Sequence, residues 1–192
     1  MSQFIEMFVN ASTQLKTLAK LGHIGTGNTP SKKKHNYWNG DFPWVAAQDM
    51  EGMYIFDTLE KLTVKGKEVA SILPVNSLLY VCRGSIGKMS INKIECGYNQ
   101  SICSFHCNDI APEYIYHALL QKEDEIKAQG TGTSFGSINQ REFSNIEIPE
   151  PTKDKQDKFL SIVHQADKSK SCFLRAQVGI NIIIGKLINQ VA

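Results

Sequence analysis

The apolar positions change their period near Pro149-Glu150-Pro151. From Lys153 to Val191 there is no proline, and Phe159, Val163, Ala166, Phe173, Ile180, Ile184, Leu187 and Val191 follow steps of four and three, with Lys170 and Gln177 the only breaks. That is the repeat of a helix burying one seam, as in a coiled coil. A second row, Leu160, Ile162, Leu174, Ile183 and Ile188, widens the stripe, as expected for a helix packing on more than one partner. Gly179 and Gly185 weaken it locally, each by about 1 kcal/mol relative to Ala. At a rise of about 1.5 Å per residue such a helix is on the order of 58 Å long. It outruns a small domain, so another helix must cover its stripe.

Residues 11–150 carry a different pattern. Short alternating or continuous apolar runs at Trp44–Ala46, Met53–Phe56, Leu78–Cys82, Lys88–Ile91 and Ser101–Phe105 predict strands, with Gly, Pro, Asn and Asp clusters between them. Tyr114, Ile115, Ala118, Leu119 and Ile126 have helical spacing, and Pro112 suits that helix's first turn. Ile146-Glu147-Ile148 predicts a last strand. The fold class is therefore mixed α/β: a globular domain at 11–150, preceded by a short amphipathic turn at 1–10 and followed by a long helix of coiled-coil type at 151–192. Phe4, Ile5 and Phe8 of the leading turn are too few to hold a helix alone.

Composition adds limits. A chain of 192 residues with 42% hydrophobic and 21% charged residues fits one ordinary core and excludes a disordered or fibrous protein. No run approaches the roughly 18 apolar residues of a spanning helix, and Met1–Lys20 lacks the marks of a signal peptide. The expectation is a soluble, cytoplasmic protein with no membrane partner. Five cysteines, Cys82, Cys96, Cys103, Cys107 and Cys172, are an odd number and read as free thiols. Net charge is only +2, with the excess in the first hundred residues, 11 Lys+Arg against 8 Asp+Glu. That is a weak pointer to polyanions.

Catalytic signatures are missing. Gly84-Ser85-Ile86-Gly87-Lys88-Met89 resembles a phosphate loop, but Cys82 stands where its first glycine should be and Met89 where its hydroxyl should be. No dinucleotide fingerprint, zinc-protease helix or nucleophile elbow occurs. Cys103, His106 and Cys107 could ligate zinc, yet no second ligand pair has zinc spacing, and structural cysteines are the plainer reading. Glu123-Asp124-Glu125 beside Lys127 reads as a solvated helix face. No catalytic residue, metal or cofactor is expected.

Three polar segments invite a binding role. Gly25–Gly40 holds Lys32-Lys33-Lys34-His35 beside Tyr37-Trp38, which reads as a flexible loop pairing cations with flat apolar surface, as nucleic-acid contacts do. The competing reading makes Trp38 a core anchor and the lysines solvent cover. Arg83–Lys88 is a glycine-flexed turn with a cation at each end. Gln129–Ser137, with Thr131, Thr133 and Ser134, joins glycines that permit close approach to hydroxyls that suit phosphates or base edges.

The order of these pieces carries a resemblance. Leu21-Gly22 and Ile24, Thr26-Gly27, Thr29-Pro30-Ser31, Tyr37-Trp38, Gly40-Asp41, Pro43-Trp44-Val45, Arg83–Lys88, Asn99-Gln100, Gly132–Phe135, Ile146, Ile148-Pro149, Pro151 and Gln156 together resemble the specificity subunits of type I restriction-modification enzymes. The resemblance covers most of the chain. It implies a target-recognition domain that reads one half of a bipartite site in double-stranded DNA, without catalysis of its own. The following helix then pairs antiparallel with a second one as a spacer and docks methyltransferase (modification) subunits and, through them, restriction subunits. Family members normally carry two such units; one is present here. That implies a half-size subunit that pairs with itself or with another half. Ser2–Phe8 resembles the end of a preceding spacer helix.

On that basis Lys32, Lys33, Lys34, Arg83 and Lys88 are candidate phosphate contacts. Gln48, Ser85, Thr131, Thr133 and Ser134 are candidate contacts to base edges, and Tyr37 offers flat surface. Phe4, Phe8, Phe159, Val163, Ala166, Phe173, Ile180, Ile184 and Leu187 are candidate subunit-interface residues. The alternative is an assembly factor, or a regulatory fragment, that exchanges helices with full-length specificity subunits without reading DNA.

Overall fold

The computed structural model describes residues 14–130, 137–150, 152–166 and 168. The chain divides between Thr152 and Lys153 into two units. In the first, the apolar runs become strands β7 (Leu78–Val81), β8 (Met89–Asn92) and β10 (Ile102–His106). They form the centre of a five-stranded sheet ordered β2-β10-β7-β8-β4, with β2 (His23–Thr26) and β4 (Tyr54–Ile55) at its edges. A second sheet is ordered β5-β3-β9-β6, built from β3 (Trp38–Val45), β5 (Glu60–Leu62), β6 (Ile72–Leu73) and β9 (Cys96–Tyr98). β1 (Leu15–Thr17) and β11 (Glu147–Pro149) pair antiparallel by themselves.

All four residues of β7 are buried, because the strand is covered on both faces and both sets of alternate side chains must be apolar. Leu79 and Val81 join Val45, Met50, Cys96, Tyr98 and Ile102 in one core cluster. Tyr80 faces the other way and meets Phe143 at 5.1 Å between ring centroids. Asn92, fully buried in β8, is satisfied by three backbone groups. It accepts from Ser77 N–H at 2.7 Å and donates to the carbonyls of Pro74 at 2.9 Å and Ile94 at 2.8 Å.

The helices are α1 (Leu18–Leu21), α2 (Val64–Glu68), α3 (Pro112–Gln121), α4 (Glu123–Gly130) and α5 (Gln140–Ser144). Pro112 opens α3 as expected. The single helix expected from Tyr114 to Ile126 is two, broken at Lys122, whose φ of −96° and ψ of 10° end the first. α5 begins with a capping box, Asn139 accepting from Glu142 N–H and Glu142 accepting from Asn139 N–H, each satisfying a donor the helix leaves open.

The second unit contains a helix across 153–166, on which Gln156, Phe159 and Val163 are buried and Ala166 is half-buried. The expected helix therefore begins where its periodicity does. Phe4, Phe8, Cys172, Phe173, Ile180, Ile184 and Leu187 lie outside the described residues, as do Thr131, Thr133 and Ser134. No described helix is long and apolar enough to cross a membrane.

Candidate nucleic-acid interface

Strand directions gather several loops at one end of the five-stranded sheet. β2 ends there, with Gly27 N–H donating to Ile102 O at 3.2 Å, and β7 ends there, with Cys82 N–H donating to Ser101 O at 2.8 Å. β8 starts there, opposite the end of β7. β4 runs parallel to β8, and Ser90 Oγ donates to Gly52 O at 2.6 Å, so the segment 46–52 reaches the same end. Ser137 forms a bridge with Arg83, and Ile138 N–H donates to Cys82 O at 3.0 Å. The end thus collects Thr29, Gln48, the Arg83–Lys88 turn, Asn99–Ser101 and Ser137.

The turn between β7 and β8 owes its shape to Gly84 and Gly87, at φ 83° and 90°, a region that L side chains avoid. Arg83 and Ser85 are exposed, Lys88 is half-buried, and neither cation has an ion-pair partner among the described residues. Beneath lie buried thiols and phenols, the hydrogen bond from Cys82 holding the Cys103 thiol below its ordinary range. Hydrogen bonding to Cys103, together with burial, pushes the Cys82 thiol up; burial pushes the Tyr80 and Tyr98 hydroxyls up. Both cations are therefore available to an anion at the loop end.

The lysine run fares differently. Trp38 is 8% exposed and meets Trp44 edge-on at 5.0 Å, so it is the core anchor of the competing reading and offers no stacking face. Lys32 Nζ lies 3.5 Å from the Trp38 ring centroid and pairs with Glu60. Its charge is spent on the fold. Lys34 Nζ donates to Tyr37 OH at 3.2 Å, and Tyr37 is half-buried, its carbonyl accepting from Thr63 N–H at 3.0 Å. Lys33 alone of the three is exposed without a described partner.

The loop from Gly27 to Lys34 is also pinned rather than loose, a correction to the expected flexible segment. Asn28 donates to Val69 O and accepts from Ser71 N–H, both at 2.7 Å, and its carbonyl accepts from Trp44 Nε1 at 3.3 Å. Trp38 Nε1 donates to Ser31 O at 3.4 Å, and Thr29 donates to Gln100. Asn28 belongs to no charged or aromatic pattern, and only its residue type signals such backbone bracing.

Gln48 is exposed on a 3-10 turn, at a cleft of about 340 Å³ that Asp49, Glu51 and Asp57 also line. Asp49 is occupied, accepting from Ala46 N–H at 2.8 Å and Leu59 N–H at 2.9 Å. The Lys61 hydrogen bond holds the Asp57 carboxyl below its ordinary range. This acidic margin suits hydrogen-bond donors such as cytosine amino groups better than phosphates.

The supposed zinc ligands have other work. Cys103 is buried, Cys107 Sγ accepts from Asp109 N–H at 3.4 Å, and His106 Nδ1 shares a 2.9 Å hydrogen bond with Ser77 Oγ.

Comparison with known proteins supplies the context. Residues 11–175 match the model of the type I restriction modification DNA specificity domain. The chain is 31% identical over 172 residues to the EcoR124I/EcoR124II specificity subunit of Escherichia coli, covering 83% of this chain and 42% of that protein. It is 28% identical over 161 residues to the MjaIX specificity subunit of Methanocaldococcus jannaschii, covering 80% and 37%. Its fold is similar to that of a chain from a type I R-M system solved for its assembly and conformational transition, with a TM-score of 0.71 at 14% identity over 91% of this chain and 43% of that one. The HsdS subunit of Thermoanaerobacter tengcongensis gives 0.65 at 14% identity, over 85% and 39%. The chain spans about two fifths of the length of these curated relatives.

Proposed function

Since the chain belongs to the type I restriction modification DNA specificity family, we propose that it reads one half of a bipartite site in duplex DNA and catalyses nothing itself. The observation that supports this reading is the convergence of the Arg83–Lys88 turn, Gln48, Thr29 and Ser137 on one sheet end, with two cations free of acidic partners among the described residues. Arg83 and Lys88 position the phosphates. Gln48 and Ser85 reach base edges, together with Thr131, Thr133 and Ser134 from the sequence that precedes Ser137.

The helix beginning at 153 then assembles the complex. Its seam, Phe159, Val163, Ala166, Phe173, Ile180, Ile184 and Leu187, pairs antiparallel with the same helix of a second copy or of another half-subunit, with Phe4 and Phe8 packing on it. Antiparallel pairing puts two recognition domains at opposite ends of a spacer. Methyltransferase subunits, and restriction subunits through them, dock on that spacer. Mapping methylated bases in DNA modified by the reconstituted complex tests the reading. Two copies of one half-site, inverted about unread bases, are expected for a homodimer. Methylation without sequence preference would overturn it.

A further inference from the structure

β2 is an edge strand, and its outer side borders a cleft of about 410 Å³ lined by Ala19, Gly22, His23, Ile24, Gln140, Arg141 and Ser144. No acidic residue lines it. Glu142, the nearest acid in sequence, is turned to the Asn139 N–H at 2.7 Å. Arg141 is exposed and has no ion-pair partner among the described residues. Six lysines of this unit do have one: Lys16, Lys32, Lys61, Lys67, Lys93 and Lys122 each hold a carboxylate.

The backbone adds a donor. Gly27 N–H bonds to Ile102 O, so in the antiparallel ladder the odd-numbered residues of β2 face β10 and Ile24 faces outward. Gln140 Nε2 donates to Ile24 O at 3.5 Å, which agrees with that alternation and leaves the Ile24 N–H directed to the same side. Ser144 Oγ has its proton on Arg141 O at 2.8 Å. The donors facing the cleft are the Arg141 guanidinium, the second Gln140 amide hydrogen, the Ile24 N–H and the His23 ring. A convergent set of donors with one cation and no carboxylate suits a phosphate oxygen pair.

The cleft borders the start of β2, whereas the loops gather where β2 ends, and the two are joined through the segment from Ser137 to Arg141. Arg141 lies four positions after Ser137, the partner of Arg83, a span of at most about 14 Å. That corresponds to about four base steps along one strand, at about 3.4 Å each.

We propose that this cleft holds one phosphate of the DNA backbone, beside the phosphates met by the Arg83–Lys88 turn. The proposal rests on the DNA-reading function above and adds a contact outside every segment assigned to it. The test uses the full chain assembled with its partner subunits, and an otherwise native duplex in which single phosphates are replaced by neutral methylphosphonates. One position should weaken the unaltered complex by about fivefold at about 0.15 M salt, the change for one lost contact at a slope of about 0.9. The same substitution should leave Arg141→Gln unaffected, while Arg141→Lys restores part of the loss. Arg141 is exposed, so equal melting temperatures should show that each variant folds. If Arg141→Gln binds as tightly as the unaltered chain while Arg83→Gln weakens, the cleft is not a DNA contact and the functional reading stands. If the unaltered complex binds no duplex, both readings fail.

Discussion

Three neighbouring cations in sequence have different fates in the fold, and a pair of mutants separates them from the turn. Lys32 sits over the Trp38 ring at 3.5 Å and pairs with Glu60, its side chain 51% exposed. An exposed cation–π contact contributes about 0.5–1 kcal/mol, and a solvent-exposed ion pair at most about 1 kcal/mol after screening. Lys32→Gln should therefore cost about 1 kcal/mol of stability, a fall in melting temperature of roughly 2–4 °C for a chain of this size. The slope of log binding constant against log salt should not move. Arg83→Gln with Lys88→Gln removes two unpaired charges from the loop end. Stability should hold, the slope should fall by about 1.8, and affinity at about 0.15 M salt should drop about 30-fold on cognate and scrambled duplexes alike. Thermal melting of the chain and salt titration of the assembled complex read both quantities. If Lys32→Gln lowered the slope while leaving the melting temperature unchanged, the assignment of its charge to the tryptophan pair would be refuted. An unchanged slope in the double variant would remove the turn from the interface.

Three further outcomes follow from the same geometry. Asn92→Ala strands Ser77 N–H and Ile94 O, while Pro74 O keeps the Ser77 hydroxyl at 2.7 Å; at about 1 kcal/mol or more for each stranded group, urea unfolding should show a loss of about 2 kcal/mol or more. Burial pushes Tyr114 to about 12 while its hydroxyl donates to Pro149 O at 2.9 Å. This acid's folded value lies above the unfolded one, so the neutral form is the one the fold favours. Its contribution is intact below about pH 10 and declines as pH rises toward 12, and Tyr114→Phe should flatten that decline in alkaline unfolding curves. Phe173→Asp with Ile180→Asp places charges in the proposed helix seam, and light scattering should turn from dimer to monomer; a monomer before mutation would sink self-pairing.

How far the chain is legible depends on where each residue's partner lies. The expected strands Leu78–Cys82, Lys88–Ile91 and Ser101–Phe105 agree with β7, β8 and β10 to within a residue or so at each end, because continuous burial leaves an apolar run in the sequence. β2 leaves no such trace. A Cβ at Gly25 would stand 2.7 Å from both Ser104 Oγ and Tyr98 OH, so the strand is defined by how closely its backbone approaches β10, which hydrophobicity does not encode. The short β5, β6 and β9 fall below the length at which alternation is recognisable. α5 was detectable, since Asn139 and Glu142 have capping-box spacing. The binding surface shows the same division. The glycine-flexed turn with a cation at each end is a local pattern and was visible as such. The availability of a charge is not local: Lys32 lies 28 residues from the Glu60 that neutralises it, whereas Arg141 meets no described acid. Sequence therefore counts the cations, and topology decides which of them a phosphate can still reach.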